Sequence, residues 1–168
     1  ASGLTMYAIA PHVGFYCGTD ISRATIEKNR QRVREGNYSN IVLECIPAHE
    51  IDKINEGNFH LIIINSVIQS FPGHNYLRHV LAKAINLAAE KAILYIGDVM
   101  DQDLKQDLTR EMITFKQANN EKDYQTKIDW SNELFVSRAF FEDLIVDFPA
   151  IEKVEFSNKI FTNENELN

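Results

Sequence analysis

A lone carboxylate closes the apolar stretch "FYCGTDIS", residues 15–22. Asp20 at such a strand tip has two chemical uses. Asp20 or Ser22 accepts the free N–H groups of the helix that follows. Alternatively, Asp20 accepts the hydroxyls of a nucleotide ribose, as acids do after the second strand of a Rossmann-like unit. A carboxylate on a diol forms charge-assisted hydrogen bonds worth about 1–3 kcal/mol. Three other short segments carry polar groups of similar potential: "PAHE" with His49, "NSVIQSFP" with Asn65, and "GDVMD" with Asp98. Asp98, Asp101 and Asp103 are hard oxygen donors, but acids gathered before a helix ordinarily serve its dipole. His74 and His79 are too far rotated on one helix to chelate together. No metal is expected.

The elements that must hold these residues alternate along the chain. "LTMYAIA" reads as a short helix stopped at Pro11, and "VGFYCGT" as a strand. "SRATIEKNRQRVRE" has helical period and should end at Gly36 in a left-handed turn. "NIVLECI" and "FHLIIIN" read as strands, the second too continuously apolar to be half exposed. The helix "NYLRHVLAKAINLAAE" and the strand "KAILYIG" follow, then the helix "DLKQDLTREMITFKQA". After the polar connection "NNEKDYQTKIDW", Ser137 opens the helix "SRAFFEDLIVDF", and "IEKVEFSNK" alternates like a strand nearer the edge. Strands separated by helices predict an α/β fold, a doubly wound, mostly parallel sheet covered on both faces. In such a sheet ligands bind beyond the carboxyl ends of the strands. Those ends are where Asp20, His49, Asn65 and Asp98 fall.

Composition narrows the partners. The chain has 168 residues and a net charge of -7, which suits one globular domain and opposes bulk attraction to a nucleic-acid backbone. The basic run "EKNRQRVRE" is interrupted by acids and reads as a solvated helix face. Cys17 and Cys45 both lie in apolar strands and read as small buried hydrophobes in a reducing compartment. No stretch is long and apolar enough to span a membrane. The expected location is cytoplasmic, with no membrane and no nucleic acid among the partners.

The strand-end segments taken together resemble the class I, Rossmann-like S-adenosylmethionine-dependent methyltransferases. More narrowly, they resemble methyltransferase domains embedded in nonribosomal peptide synthetases. "ASGLTMYAIAPH" resembles the end of the family's glycine-rich motif with its first helix, and "YCGTDIS" its second strand. "FHLIIINSVIQSFP" resembles the fourth strand, "YIGDV" the exit of the fifth, and "ELFVSRAFFEDL…FPAIEKVE" the later helix and strand. "NENELN" resembles the start of the closing segment.

The resemblance implies S-adenosylmethionine as cofactor. It places Gly3 by the methionyl part, Asp20 and Ile21 at the ribose end, and Ala48 and His49 at the adenine edge. Asn65, Ser66 and Val67 fall near the methionine moiety, and Asn65, Gln69 and Asp98 at the reacting end. Pro47 stands where many relatives in the wider superfamily carry an acid. His49 reads equally as a surface loop histidine, and the alternative for Gly3 is a turn glycine. The Asn/Asp-Pro-Pro-Tyr motif of enzymes that methylate nucleic-acid bases or glutamine is absent.

The implied activity is N-methylation of an aminoacyl group tethered to a carrier protein, beside neighbouring synthetase domains. Two other readings stay open: a stand-alone small-molecule O- or C-methyltransferase, and a non-catalytic structural or docking remnant. Tyr124 and Trp130 read either as an apolar lid or as an anchor of the polar connection. Residues 1–168 read as one methyltransferase-like domain excerpted from a longer chain, truncated at the first and last strands. The missing first strand would lie between those ending at Asp20 and Asn65, so the isolated chain is expected to bind cofactor weakly or not at all.

Overall fold

The computed structural model describes residues 3–119 and 132–157. Tyr124, Trp130 and the terminal "TNENELN" lie outside the described residues. The chain divides into two compact units. The first holds the described residues up to Met100 together with 132–134, and the second those from Asp101 to 119 and from Phe135 on.

The first unit begins with α1 (Leu4–Ile9), which gives way to a 3-10 turn, Ala10–His12, at Pro11. β1 (Tyr16–Thr19) leads into α2 (Arg23–Glu35), and β2 (Ile41–Glu44) runs parallel to β1 with Tyr16 opposite Ile41. Met6, Ile26 and Leu43 form a core between these elements, flanked by Tyr7, Tyr16, Val33 and Ile41. α2 does not end as expected. Gly36 keeps φ at -85, and Asn37 takes the left-handed conformation at φ 53. A Cβ on Gly36 would sit 2.5 Å from the Tyr38 ring, so the glycine serves a close approach rather than a positive φ.

β3 (Phe59–Asn65) pairs in parallel with β4 (Ala88–Gly97), and α3 (His74–Leu87) connects them. Leu77, Val80, Leu81 and Ala84 recur at helical spacing on α3 and are all buried. Two expectations fail here. Residues 88–90 belong to β4 rather than to the helix, because Ala88 turns extended and pairs with Phe59. The register then shifts between Phe59 and Leu61, and Lys91 takes φ 59. Nor is β3 buried on both faces, since Leu61 is 43% exposed and its partner Ile93 65%. None of the β3 residues is fully buried.

Among the described residues, β1 and β3 do not pair with each other. Their starts are nonetheless neighbours, with the rings of Phe15 and Phe59 stacked 6.2 Å apart.

In the second unit, α4 (Lys105–Ala118) and α5 (Arg138–Asp147) flank the short strand Phe135–Val136. Ser137 caps α5 by accepting from the Phe140 N–H at 3.2 Å. Residues 151–157 form no strand, contrary to their alternation. Phe156 instead packs on Phe141 and under the Arg138 guanidinium, so α5 and not a neighbouring strand supplies its contacts. No helix of the described residues is long and apolar enough to cross a membrane.

Candidate functional site

Asn65 and Gly97 face each other at the carboxyl ends of β3 and β4. The next residue on each strand, Ser66 and Asp98, adopts a left-handed backbone with φ 56 and 58. For residues with a Cβ this costs about 1–2 kcal/mol each. Hydrogen bonds hold the two turns together. The Ser66 N–H donates to the Gly97 carbonyl at 3.2 Å, and the Ser66 hydroxyl donates to Asp98 Oδ2 at 2.9 Å. Asn65 Nδ2 donates to Ser66 Oγ at 3.1 Å. A Cβ on Gly97 would run into the Asn65 side-chain oxygen and the Tyr95 ring, so only glycine lets the Asn65 amide lie across the strand pair.

The chain then passes Val67, which is exposed, into a 3-10 turn, Ile68–Ser70. Ile68 and Phe71 are buried core residues. Gln69 is anchored through its carbonyl, which accepts from the Leu134 N–H at 2.8 Å. Its side-chain Oε1 is buried with no hydrogen-bond partner among the described residues. A buried acceptor left empty costs about 1–3 kcal/mol, which a ligand N–H or O–H would recover.

At the tips of β1 and β2 the two roles weighed for Asp20 and Ser22 are divided. Ser22 Oγ caps α2 by accepting from the Thr25 N–H at 3.3 Å, while Asp20 Oδ1 accepts from the Ser22 N–H at 2.8 Å. Asp20 therefore steadies the turn without capping the helix. Beside it, Ile21 projects with 77% of its surface exposed. Gly3 starts α1 at φ 85, and a Cβ there would stand 2.8 Å from Asn29 Oδ1. The glycine is thus required by packing as well as by its backbone. Asn29, only 7% exposed, and Tyr7 each keep a buried oxygen without a partner among the described residues.

After β2, Pro47 leads into a 3-10 turn, Ala48–Lys53. The His49 side chain stays 45% exposed, and its Nδ1 lies 2.9 Å from the Tyr76 hydroxyl. Lys83 Nζ donates to the His49 carbonyl at 2.5 Å and to Asp52 Oδ1 at 2.6 Å. The lysine bond holds the Asp52 carboxyl below its usual value. Tyr76 also borders an open depression of about 550 Å³ formed by residues 72–76. Sequence reading passed over Tyr76 and Lys83. Their signal was two polar side chains seven positions apart on a helix with an otherwise apolar face, close to two full turns at about 3.6 residues per turn.

Asp101 and Asp103, weighed above as metal ligands, are spent on the backbone. Asp101 Oδ1 accepts from the Asp103 N–H at 2.8 Å, and Asp103 Oδ2 from the Arg138 N–H at 3.3 Å.

A family model described as a methyltransferase domain matches residues 2–139. The chain belongs to that family. Over 167 residues it is 32% identical to a probable non-canonical nonribosomal peptide synthetase of Salinispora arenicola, covering 99% of this chain and 2% of that protein. It is 30% identical over 173 residues to the chondramide synthase of Chondromyces crocatus, covering 99% of this chain and 4% of that one. The methyltransferase domain thus spans only a few per cent of these relatives. Among solved structures, the N-methyltransferase NodS of Bradyrhizobium japonicum superposes with a TM-score of 0.54 at 19% identity, over 63% of this chain and 57% of that one. The PKMT2 protein of Rickettsia typhi, solved with AdoHcy, reaches 0.50 at 18% identity, over 79% of this chain and 24% of that one. The fold is that of the class I S-adenosylmethionine-dependent methyltransferases.

Proposed function

We propose that this methyltransferase domain N-methylates an aminoacyl group tethered to a carrier protein, with S-adenosylmethionine as methyl donor and neighbouring synthetase domains as partners. The observation that carries the reading is the buried Oε1 of Gln69, unpartnered among the described residues, two positions past the exposed Val67 and three past Ser66, which bonds Asp98. An acceptor held in that state suits a ligand N–H or O–H, and where the donor is an amine its donation leaves the nitrogen lone pair to face the methyl carbon. The 32% and 30% identity to nonribosomal peptide synthetases supports the carrier-tethered substrate.

The residues present fit the cofactor. Asp20 stands at a strand tip beside the exposed apolar Ile21, a pairing suited to a ribose diol and an adenine face. Ala48 and His49 would meet the adenine edge, Gly3 the methionyl backbone, and Asn65, Ser66 and Val67 the methionine moiety. When bound, the sulfonium supplies the electrophilic methyl and its own leaving group. Gln69 and Asp98 orient the acceptor amine, and alignment of this kind removes about 7–11 kcal/mol of barrier.

Fragment mass spectrometry after incubating the natural full-length protein with methyl-labelled S-adenosylmethionine and an aminoacyl-loaded carrier tests this. Label on the α-nitrogen is expected. Label on oxygen or carbon, or no label despite cofactor binding, would overturn the N-methylation reading.

A further inference from the structure

Tyr76 and Lys83 project from one face of α3 onto the turn after β2. None of the turn's residues, Ala48–Lys53, is buried, and Glu50 interrupts it with φ -118 and ψ 15. At its start the Glu50 N–H bonds the Pro47 carbonyl at 2.9 Å, before the break. After the break, the Ile54 N–H bonds the Ile51 carbonyl at 3.1 Å. Polar groups on α3 grip this half-buried turn. Lys83 grips at two points, the His49 carbonyl and Asp52, with a side chain only 21% exposed. Tyr76 grips the imidazole, and its ring is set edge-on against the buried Phe71 with centroids 4.8 Å apart.

The far side of the imidazole also has a neighbour. Nε2 of His49 lies 3.9 Å from Glu50 Oε1, while Glu50 Oε2 pairs with Lys53 at 2.6 Å. A carboxylate beside Nε2 favours the proton on that nitrogen, which leaves Nδ1 to accept from the Tyr76 hydroxyl. The carboxylate biases the ring toward one tautomer, and the Tyr76 hydroxyl, able to donate, completes it. Helix α3 thereby fixes the ring and the backbone carbonyl of the same residue.

We infer that Tyr76 and Lys83 are positioning residues for the cofactor, holding His49 as its Nε2–H tautomer and the Ala48–His49 backbone in the attitude that meets the adenine base. The inference rests on the adenine role proposed above for Ala48 and His49. Neither residue touches the reacting atoms in this account. Their effect belongs to the adenosine half of the cofactor alone.

Calorimetry with adenosine and with S-adenosylhomocysteine as separate probes, on the natural full-length protein, tests the clamp. Lys83→Met should weaken both probes by the same factor, about tenfold for two lost charge-assisted bonds, and Lys83→Arg should restore most of it. Tyr76→Phe, which removes one oxygen and is the safer variant for folding, should move the ¹⁵N shifts of the His49 ring from the Nε2–H pattern toward a tautomer mixture. Unchanged adenosine affinity in Lys83→Met, or identical His49 ring shifts in wild type and Tyr76→Phe, would overturn the inference. If the wild-type protein binds neither probe, the cofactor reading fails and the clamp falls with it. Wild-type binding with indifferent variants removes the clamp alone.

Discussion

The hydroxyl of Ser66 donates to the Asp98 carboxylate across 2.9 Å, and both residues sit in the left-handed backbone region at the tips of paired strands. The two turns are therefore one device. The β3–β4 register that places Asn65 opposite Gly97 also places Ser66 opposite Asp98.

Gly97→Ala should break this device from below. The added methyl meets the Asn65 oxygen and the Tyr95 ring, and such overpacking typically costs about 1–3 kcal/mol. A lowered Tm together with lost turnover is expected. Gly97→Ala with an unchanged Tm and full turnover would show that Asn65 need not lie where it does.

Gln69→Leu should separate stability from activity. Removing a buried acceptor that has no partner relieves a penalty of about 1–3 kcal/mol, so the variant should unfold at equal or higher denaturant. Turnover should fall by at least about tenfold if the same oxygen receives the acceptor N–H. Retained turnover would remove Gln69 from the site.

The two thiols should differ in reactivity. Burial, with Glu56 and Glu44 nearby, pushes the Cys17 thiol up to about 11, whereas Cys45 is exposed. At pH 8 the Cys17 thiolate fraction is then about one in a thousand. Iodoacetamide should label Cys45 first, as read by peptide mass spectrometry. Equal rates would mean that β1 opens far more readily than its packing suggests.

Acid should release the turn from α3 before it unfolds the cores. Asp52 titrates below its ordinary value in the folded state because Lys83 donates to it. A carboxyl depressed on folding adds stability above its unfolded value, near pH 4, and loses it as pH falls through the lower folded value. Amide exchange at residues 48–53 should rise over that window in wild type, and Asp52→Asn should flatten the dependence. Exchange with the same pH profile in both proteins would exclude the Lys83–Asp52 link as its cause.

Much of the fold was legible because period and punctuation are local. Ser22 and Ser137 cap the helices expected of them, and the apolar rhythm of α3 marks its buried face. The errors came where a partner decides the outcome. Residues 88–90 are good helix formers, yet pairing with Phe59 makes them strand. Residues 151–157 alternate like a strand, but the contacts of Phe156 go to α5. At the site, the strand-tip positions of Asp20, Asn65 and Asp98 followed from strand ends alone. The Asp20–Ser22 turn is local, whereas the grip of Tyr76 and Lys83 on His49 depends on side chains meeting across long sequence separations. No local pattern encodes that grip.

Titration of S-adenosylhomocysteine into the natural full-length protein, wild type against Asp20→Ala, tests the central claim most directly. Asp20 bonds the Ser22 N–H but does not cap α2, so its removal should leave the fold standing. The account predicts binding by wild type and a loss of at least about tenfold in the variant, the worth of one carboxylate–diol contact. Equal affinities, or no binding by wild type, would contradict it.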